Sequence, residues 1–238
     1  MTSNGAYLVD FDGTITTIDI SQEMATYFGG TEYAKIEQMY RNRQIPIRKW
    51  LQLTAEKLPP DPDKLLEKAM ELAEIRPGFE DFLSFARSKD RPIIVASDGF
   101  GFYIEPILRS YGLFEQIDVI YKNNTFLNSK GIFEVNTPYA HRICPVCGNC
   151  KSSHVVWLKE EGNTVIYIGD GSNDRYGASW ADHVCARDQL LDACQEYGFT
   201  HSQWSDFYDI IKVDLPERHD RSQESLCDPK GSGVKVLN

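Results

Sequence analysis

Short apolar runs rich in β-branched and aromatic residues recur along the chain, at residues 6–9, 92–96, 117–121, 165–168 and 183–186. Segments with a helical period separate most of these runs, at residues 78–88, 102–111, 154–161, 175–180 and 188–197. Strands that alternate with helices predict a mostly parallel sheet with helices on both faces. In such a sheet, ligands bind beyond the carboxyl ends of the strands. The pattern therefore predicts an α/β fold with its site at that edge.

One long segment, residues 17–74, interrupts this alternation because it shows helical periodicity and no convincing strand. Its pattern is broken at the glycine pair 29–30 and at the proline pair 59–60, where helices commonly end. We interpret it as a small helical domain inserted between the first two strands. The α/β core would then comprise residues 1–16 and 75–215.

Two smaller segments also depart from the alternation. Residues 124–136 have the pattern of a β-hairpin that turns near residues 129–131. From residue 216 onward the chain is polar and contains proline and glycine, so we predict a flexible tail over residues 216–238.

The composition limits the classes of function. At 238 residues, of which 42% are apolar, the chain suits one medium-sized domain with an insertion. Acidic residues outnumber basic residues by 35 to 25, and the formal charge of −10 disfavours nucleic acid and anionic membranes as partners. No apolar run approaches the roughly 18 residues of a membrane span, and the N-terminus has no signal-peptide pattern. We therefore expect a cytoplasmic protein, either a monomer or a homodimer.

Two aspartates follow the first apolar run, in the stretch YLVDFDGTIT. Asp10 and Asp12 flank Phe11, so in an extended chain both carboxylates leave the backbone on the same side. An Asp-Gly turn or a helix cap is an alternative use of these residues. A hairpin would need a second strand, however, and a helical region follows instead. Taken alone, the stretch leaves a turn and a catalytic site open.

The fourth apolar run also ends in acidic residues, in the stretch VIYIGDGSND. Asp170 and Asp174 would meet the first pair of aspartates at one sheet edge, where so many carboxylates require a cation. Mg²⁺ suits such a set because it prefers hard oxygen ligands and keeps waters that a substrate phosphate can replace. Turn formation and helix capping are the simpler alternative for this second pair.

Two further polar residues stand where a phosphate could bind. Ser97 ends the second run, in IIVASDG, where a hydroxyl and free backbone amides can hold a phosphate, although a lone serine there is usually a cap. Lys151 opens the helical stretch KSSHVVWLKE. Lysines are normally surface residues, but the helix dipole disfavours a cation at this end. A bound phosphate would explain its position.

Taken in chain order, DFDGTIT, SDG, Lys151 and GDGSND resemble the four motifs of the haloacid dehalogenase superfamily of phosphotransferases. The resemblance implies a Rossmann-like core in which Asp10 attacks phosphorus. It implies that Asp12 protonates the leaving alkoxide and then activates water. The helical insertion resembles the cap domain of the phosphoserine-phosphatase-like branch, which would close over a small phosphorylated metabolite.

The same resemblance implies two sets of ligands. The phosphoryl group would be bound by Ser97, Asp98 and Lys151. Mg²⁺ would be held by the carboxylates of Asp10 and Asp170 and by the backbone carbonyl of Asp12, with Asp174 in support.

A cysteine cluster precedes the motif lysine, in HRICPVCGNCKSSH. The spacing of Cys144, Cys147 and Cys150 can offer three thiolates to a structural Zn²⁺, with His141 or His154 as the fourth ligand. A tight turn with ordinary reduced thiols is the alternative, since structural zinc sites usually combine two well-separated pairs. In either case the loop would position the lysine that follows it.

The cysteine-rich loop is similar to two phosphatase groups within this branch. One acts in methionine salvage on 2-hydroxy-3-keto-5-methylthiopentenyl-1-phosphate, and its likeness extends to the late stretch CARDQLLDACQEYGFTHSQWSDFYDI. The other acts on phosphoethanolamine and phosphocholine and normally carries an acidic residue where this chain has Gly13. That difference favours the first group, with phosphocholine-type and phosphoserine-type substrates as alternatives.

Other uses of the same scaffold are disfavoured. A phosphonatase of the superfamily needs a cap lysine for a Schiff base, and none is identifiable. A dehalogenase would give Asp12 no evident purpose. A non-catalytic binding module stabilised by Zn²⁺ should lack at least one of the motif residues, whereas all of the motif residues are present in this chain.

Overall fold

A six-stranded parallel sheet forms the centre of the computed structural model, which describes residues 5–220, 222 and 225–234. The strands in chain order are β1 (Gly5–Val9), β2 (Ile93–Ala96), β3 (Val119–Tyr121), β4 (Asn124–Leu127), β5 (Phe133–Asn136), β6 (Thr164–Gly169), β7 (His183–Ala186), β8 (His201–Gln203), β9 (Cys227–Asp228) and β10 (Gly233–Val234). The sheet order is β3-β2-β1-β6-β7-β8, with every neighbouring pair parallel. The predicted α/β fold is confirmed.

The helices cover both faces of this sheet and also build the insertion. They are α1 (Ile20–Arg41), α2 (Ile47–Ala55), α3 (Pro62–Leu72), α4 (Phe79–Ser88), α5 (Ile104–Ser110), α6 (Lys151–Glu160), α7 (Asp174–Ala178), α8 (Asp188–Tyr197) and α9 (Phe207–Ile211). Among the helices of the described residues, none combines the length and apolar character that a membrane crossing requires.

Strand β1 shows why both faces are covered. All five of its residues are buried, and successive side chains point to opposite sides. Tyr7 and Val9 join one hydrophobic cluster with residues of α4, α5 and α9, whereas Ala6 and Leu8 join another with residues of α6, α7 and α8. Because a strand that is buried on both faces needs apolar side chains on both, it appears in the sequence as a continuous apolar run, here residues 6–9.

Residues 17–74, which follow β1, contain the helices α1, α2 and α3 and no strand of the central sheet, and we call this segment the cap. Helix α1 is broken at Gly30, whose φ of +53° is unfavourable for other residues. Asp19 and Asp61 cap α1 and α3, because each carboxylate accepts from the backbone amide three residues further on.

The predicted hairpin is formed by β4 and β5, which pair antiparallel from Asn124 to Asn136. The side chain of Asn128 closes the turn, because its Oδ1 accepts from the amides of Lys130 and Ile132.

Two elements depart from the sequence-based expectations. Strand β8 was not predicted, because His201–Gln203 is polar and only partly buried, and its position depends on pairing with β7. Within the predicted flexible tail, β9 and β10 form an antiparallel pair, and Cys227 is buried with its carbonyl accepting from Trp180 Nε1 at 3.1 Å. Residues 221, 223, 224 and 235–238 of that tail lie outside the described residues.

The register of the central strands brings three polar residues to one edge. Strand β1 pairs in parallel with β2 on one side and with β6 on the other, so their carboxyl ends lie together. The residues that follow these three ends are Asp10, Ser97 and Asp170. The fold therefore brings these three residues together at the sheet edge where the sequence pattern predicts a site.

Arg76 fixes the loop that follows β1. Its guanidinium donates to the carbonyls of Thr14 at 2.9 Å, Gly13 at 2.6 Å and Thr16 at 3.2 Å, and its face lies over the ring of Trp204. The side chain is 7% exposed, so these carbonyls have little access to water as a substitute partner. Arg76 thus connects the end of the cap segment to the loop that carries the first motif.

We expect Arg76→Ala to lower the free energy of unfolding by about 2–4 kcal/mol, because it leaves buried carbonyls without a donor. Urea-induced unfolding measures the effect. Arg87→Ala, which removes an exposed arginine of α4, is the matched control and should change stability by less than about 0.5 kcal/mol. Equal effects of the two substitutions would contradict this role of Arg76.

Candidate active site

Lys151 lies at the centre of the acidic sheet edge, where it is the first residue of α6. Its Nζ is 2.7 Å from Asp10 Oδ1 and 2.5 Å from Asp174 Oδ1, and all three side chains are buried. Burial by itself would lower the pKa of Lys151, but the two carboxylates raise it well above its ordinary value. The lysine therefore remains charged and neutralises part of the acidic edge.

Both carboxylate oxygens of Asp174 accept hydrogen bonds. Its Oδ1 accepts from Tyr167 OH at 2.6 Å as well as from the lysine, and its Oδ2 accepts from the amides of Asp170 and Gly171 at 3.1 and 2.9 Å. The side chain is 1% exposed. This set of contacts fixes the GDGSND loop against the start of α7.

Asp10, Asp170 and Asp174 each direct one carboxylate oxygen towards a common region, and these oxygens lie within 4.8 Å of one another. Asp170 Oδ1 also accepts from Thr14 Oγ1 at 2.5 Å. Burial, with Asp174 nearby, raises the pKa of Asp170 to about 7 and that of Asp10 well above its ordinary value. Crowded buried carboxylates of this kind favour a bound divalent cation, and their hard oxygen donors fit Mg²⁺.

Asp12 directs its carboxylate towards Tyr103, at the start of α5. The tyrosine hydroxyl lies 2.8 and 2.7 Å from the two carboxylate oxygens, and Ser97 Oγ lies 3.3 Å from Oδ2. Burial, with Asp19 nearby, raises the pKa of Asp12 to about 8, although the Tyr103 hydrogen bond opposes the rise. A carboxyl with such a pKa carries a proton near neutral pH, as a general acid requires.

The turn after β2 places Ser97 and Asp98 differently. Ser97 Oγ accepts from the Gly99 amide at 2.9 Å and faces the first motif. Asp98 Oδ1 instead accepts from the Asn149 amide at 2.6 Å and so holds the cysteine-rich loop. A carboxylate has no proton to donate to a phosphate, so the predicted phosphate contact of Asp98 could come only from its backbone amide.

A cavity of about 110 Å³ lies between the acidic edge and the cap. On the cap side, the cavity is lined by Tyr40 and Trp50, and each of these side chains makes a hydrogen bond. Tyr40 OH accepts from Asn173 Nδ2 at 2.8 Å, and Trp50 Nε1 donates to Glu37 at 2.8 Å. Among the described residues that line this cavity, the one cationic side chain is the lysine already paired with two aspartates.

The structure does not support the predicted zinc site. Cys144, Cys147 and Cys150 are buried free thiols, and within the described ranges only the three aspartates bring ligand atoms together closely enough for a metal. Nδ1 of His141, the predicted fourth ligand, accepts from the amide of Cys144 at 2.9 Å. Cys144 and Cys147 instead pack in a small cluster with the ring of Tyr176. The alternative of reduced thiols in a tight loop describes the segment better.

His154 is the other candidate zinc ligand, and its ring serves packing instead. It stacks on Tyr121 with ring centroids 3.8 Å apart, and its Nε2 is 2.7 Å from Asn149 Oδ1. Asn149 Nδ2 donates to the carbonyls of Ser97 and Tyr121, so its oxygen must be the acceptor and His154 Nε2 the donor. Burial, with Lys151 nearby, lowers the pKa of His154 to about 3.

Sequence reasoning missed several supporting residues. Tyr103 and Tyr167 resemble ordinary core aromatics, and nothing in the chain pattern shows that their hydroxyls reach the carboxylates of Asp12 and Asp174. Arg76 gave no signal either, because its partners are backbone carbonyls. Thr14 could have been found, since it lies within the first motif, two residues after Asp12.

Comparison with known sequences points to phosphatases. A family model described as "Putative Phosphatase" matches residues 6–190. The chain is 32% identical over 217 residues to 2-hydroxy-3-keto-5-methylthiopentenyl-1-phosphate phosphatase of Lysinibacillus sphaericus strain C3-41, which covers 86% of this chain and 91% of that protein. A protein of the same name from Exiguobacterium sibiricum is 31% identical over 211 residues, covering 86% and 93%.

Comparison with solved structures supports the fold. A substrate-bound phosphoserine phosphatase complex superposes with a TM-score of 0.67 at 19% identity, covering 89% of this chain and 99% of that chain. A structure titled as a phospho-aspartyl intermediate analogue of phosphoserine phosphatase gives the same TM-score at 20% identity, with the same coverage.

The environment of His154 predicts a specific pH dependence of stability. An unfolded histidine binds a proton below about pH 6.5, whereas the folded protein keeps this ring neutral down to about pH 3. Stability should therefore fall as the pH decreases through this window, by up to about 1.4 kcal/mol per pH unit from this residue alone.

Urea unfolding of wild type and His154→Gln between pH 7 and 5 isolates this contribution, because other groups titrate alike in both proteins. The variant should be less stable at pH 7 but show a shallower decline with acid. Parallel stability curves would contradict the assignment of a neutral, Nε2-protonated ring.

Proposed function

Because the chain belongs to the haloacid dehalogenase superfamily of phosphatases, in the family whose model it matches, we propose that Asp10 is its nucleophile. In the first step a carboxylate oxygen of Asp10 forms a bond to phosphorus while the bond from phosphorus to the ester oxygen breaks. The product is an aspartyl-phosphate. Lys151, 2.7 Å from Asp10, orients the nucleophile and offsets charge on the phosphoryl oxygens.

Asp12 moves the protons in this mechanism. Its raised pKa supplies a protonated carboxyl that donates to the leaving alkoxide as the ester bond breaks. The resulting carboxylate then takes a proton from water, whose oxygen attacks phosphorus and releases Asp10 and inorganic phosphate. Tyr103 keeps the carboxyl in one orientation through both steps.

The observation that carries this proposal is the convergence of Asp10, Asp170 and Asp174 beside a buried lysine. When bound there, Mg²⁺ would neutralise the repulsion between a carboxylate nucleophile and an anionic phosphate. Asp10 and Asp170 would hold it through their carboxylates and Asp12 through its backbone carbonyl. Ser97 would contribute its hydroxyl to the phosphoryl oxygens, alongside the lysine.

The cavity favours a leaving group without a carboxylate. Lys151 is already paired with two aspartates, and among the described lining residues no second cation could bind a substrate carboxylate. This argues against phosphoserine. We favour 2-hydroxy-3-keto-5-methylthiopentenyl-1-phosphate, which is uncharged beyond its phosphate and is named for relatives that share about a third of the sequence.

A phosphocholine-type substrate is the second candidate, since carboxylates and aromatic rings line the cavity and could hold a cation. Gly13 counts against it. A Cβ at this position would lie 2.4 Å from Asp170 Oδ2, and φ is +78°, so the acidic residue of that group has no room here.

We expect phosphate release from small phosphomonoesters to require Mg²⁺ and to fall at least about 10³-fold in Asp10→Asn. The variant loses the nucleophile but keeps a side chain of the same size, so binding of inorganic phosphate should persist. Chelation with EDTA should abolish turnover by the wild type, and added Mg²⁺ should restore it.

The same assay distinguishes the candidate substrates when kcat/KM is measured for the methylthiopentenyl ester, phosphocholine and phosphoserine. The value of kcat/KM for the methylthiopentenyl ester should exceed the other two values by at least about tenfold. Full activity of Asp10→Asn would refute the nucleophile, whereas a preference for phosphoserine would refute only the substrate.

We expect Tyr103→Phe to reduce kcat by about tenfold with a much smaller change in KM, because its hydroxyl orients Asp12 and the cavity wall is unchanged. Tyr197→Phe, at a partly exposed tyrosine of α8, is the control. A rise in KM with an unaltered kcat would instead place Tyr103 in substrate binding.

A further inference from the structure

The cysteine loop, which we define as residues 141–150, lies between the cap and the acidic edge of the sheet. Its residues contact cap helix α2 on one side and the turn after β2 on the other. It also runs directly into Lys151. The proposed mechanism assigns a role to Lys151 but none to the loop that precedes it.

On the cap side, the loop is held by one arginine. Arg48 of α2 donates from Nε to the carbonyl of Cys147 at 2.9 Å, and from Nη2 to the carbonyls of Cys144 at 2.8 Å and His141 at 3.3 Å. Its own amide donates to the carbonyl of Val146 at 3.1 Å. A planar guanidinium can bridge several carbonyls of one loop in this way, whereas an ammonium presents a single point charge.

The packing beside this arginine is tight. A Cβ on Gly148 would lie 2.7 Å from Cδ1 of Leu51, so the cap helix and the loop backbone are in direct contact. A loop that fits so closely cannot shift without moving α2 as well.

On the core side, the loop is held by Asn149. Its amide donates to Asp98 at 2.6 Å, and its side chain donates to the carbonyl of Ser97 at 3.1 Å. The next residues are Cys150 and Lys151, so the loop ends at the ammonium that contacts Asp10. Ser97 and Lys151, which are both predicted to bind phosphate, therefore depend on the position of the cysteine loop.

We propose that Arg48 is a positioning residue that docks the cap on the cysteine loop and so couples cap closure to phosphoryl binding. Arg48 does not line the cavity; it acts through Asn149 and Lys151. The inference rests on the proposed function, because it assigns these residues to a phosphate site. By linkage, phosphate binding must in turn strengthen the docking of the cap.

The buried thiols report docking without reference to activity. Cys144, Cys147 and Cys150 are 6–8% exposed, so a thiol reagent reaches them only when the loop opens. We expect Arg48→Ala to increase their labelling rate by about tenfold or more, since it removes three hydrogen bonds from a charged donor. Cys185 and Cys194, which are fully buried elsewhere, should remain unlabelled and thereby exclude global unfolding.

The matched control is Lys49→Ala, which removes the same charge from the adjacent, exposed position of α2. Its labelling rate should stay within about twofold of wild type. Arg48→Lys should lie between wild type and the alanine variant, because one ammonium replaces the fork of donors. Equal labelling of wild type and Arg48→Ala would overturn the docking role.

Coupling is tested with inorganic phosphate in the presence of Mg²⁺. Phosphate should slow labelling of the wild-type loop, and its affinity should fall about tenfold in Arg48→Ala, a residue that does not touch the phosphate. Faster labelling with unchanged phosphate affinity would overturn the coupling alone. Failure of the wild type to bind phosphate or to hydrolyse any ester would overturn the proposed function and the coupling together, while leaving the docking measured by the thiols.

Discussion

Excess negative charge at one edge of the sheet is the constraint on which the rest of the structure depends. Parallel register brings Asp10 and Asp170 to that edge, the start of α7 adds Asp174, and one buried ammonium, that of Lys151, lies between them. Desolvated carboxylates are costly unless donors or a cation compensate them. In the proposed function, this deficit of positive charge is what makes the site receptive to a metal ion and then to a phosphate.

The surrounding elements are arranged to tolerate this charge. The loop after β1 approaches so closely that Thr14 can donate to Asp170, and Gly13 is required there because a side chain would collide with that carboxylate. Arg76 holds the backbone carbonyls of the loop in this position. Tyr103 gives Asp12 a hydroxyl partner, so Asp12 has an environment different from that of Asp10, Asp170 and Asp174. Distinct surroundings of this kind suit the roles proposed for the two carboxylates, in which one attacks phosphorus and the other transfers protons.

The sequence allowed the core and its acidic edge to be predicted, because both depend on apolar periodicity and on the order of short motifs. It did not allow β8 to be predicted, since the polar stretch His201–Gln203 becomes a strand only by pairing with β7. Tyr103 was equally invisible, because its hydroxyl contact joins residues 91 positions apart. The zinc expectation failed for a related reason. Spacing along the chain fixes how far apart thiols are, but packing against Tyr176 and Cys227 decides where they point.

Packing also explains how the cap and the acidic edge of the sheet are related. The cap closes the cavity with Tyr40 and Trp50, yet it also touches the loop that leads into Lys151. In the proposed function, the residues that select the leaving group and those that bind the phosphoryl group are different, but the same loop supports both sets. Under the proposed coupling, a substrate that holds the cap closed would also favour the arrangement that binds its own phosphate, because closely packed interfaces move as units. If the cap and the loop are coupled as proposed, binding energy from the non-reacting part of the substrate would orient the groups at the reacting centre.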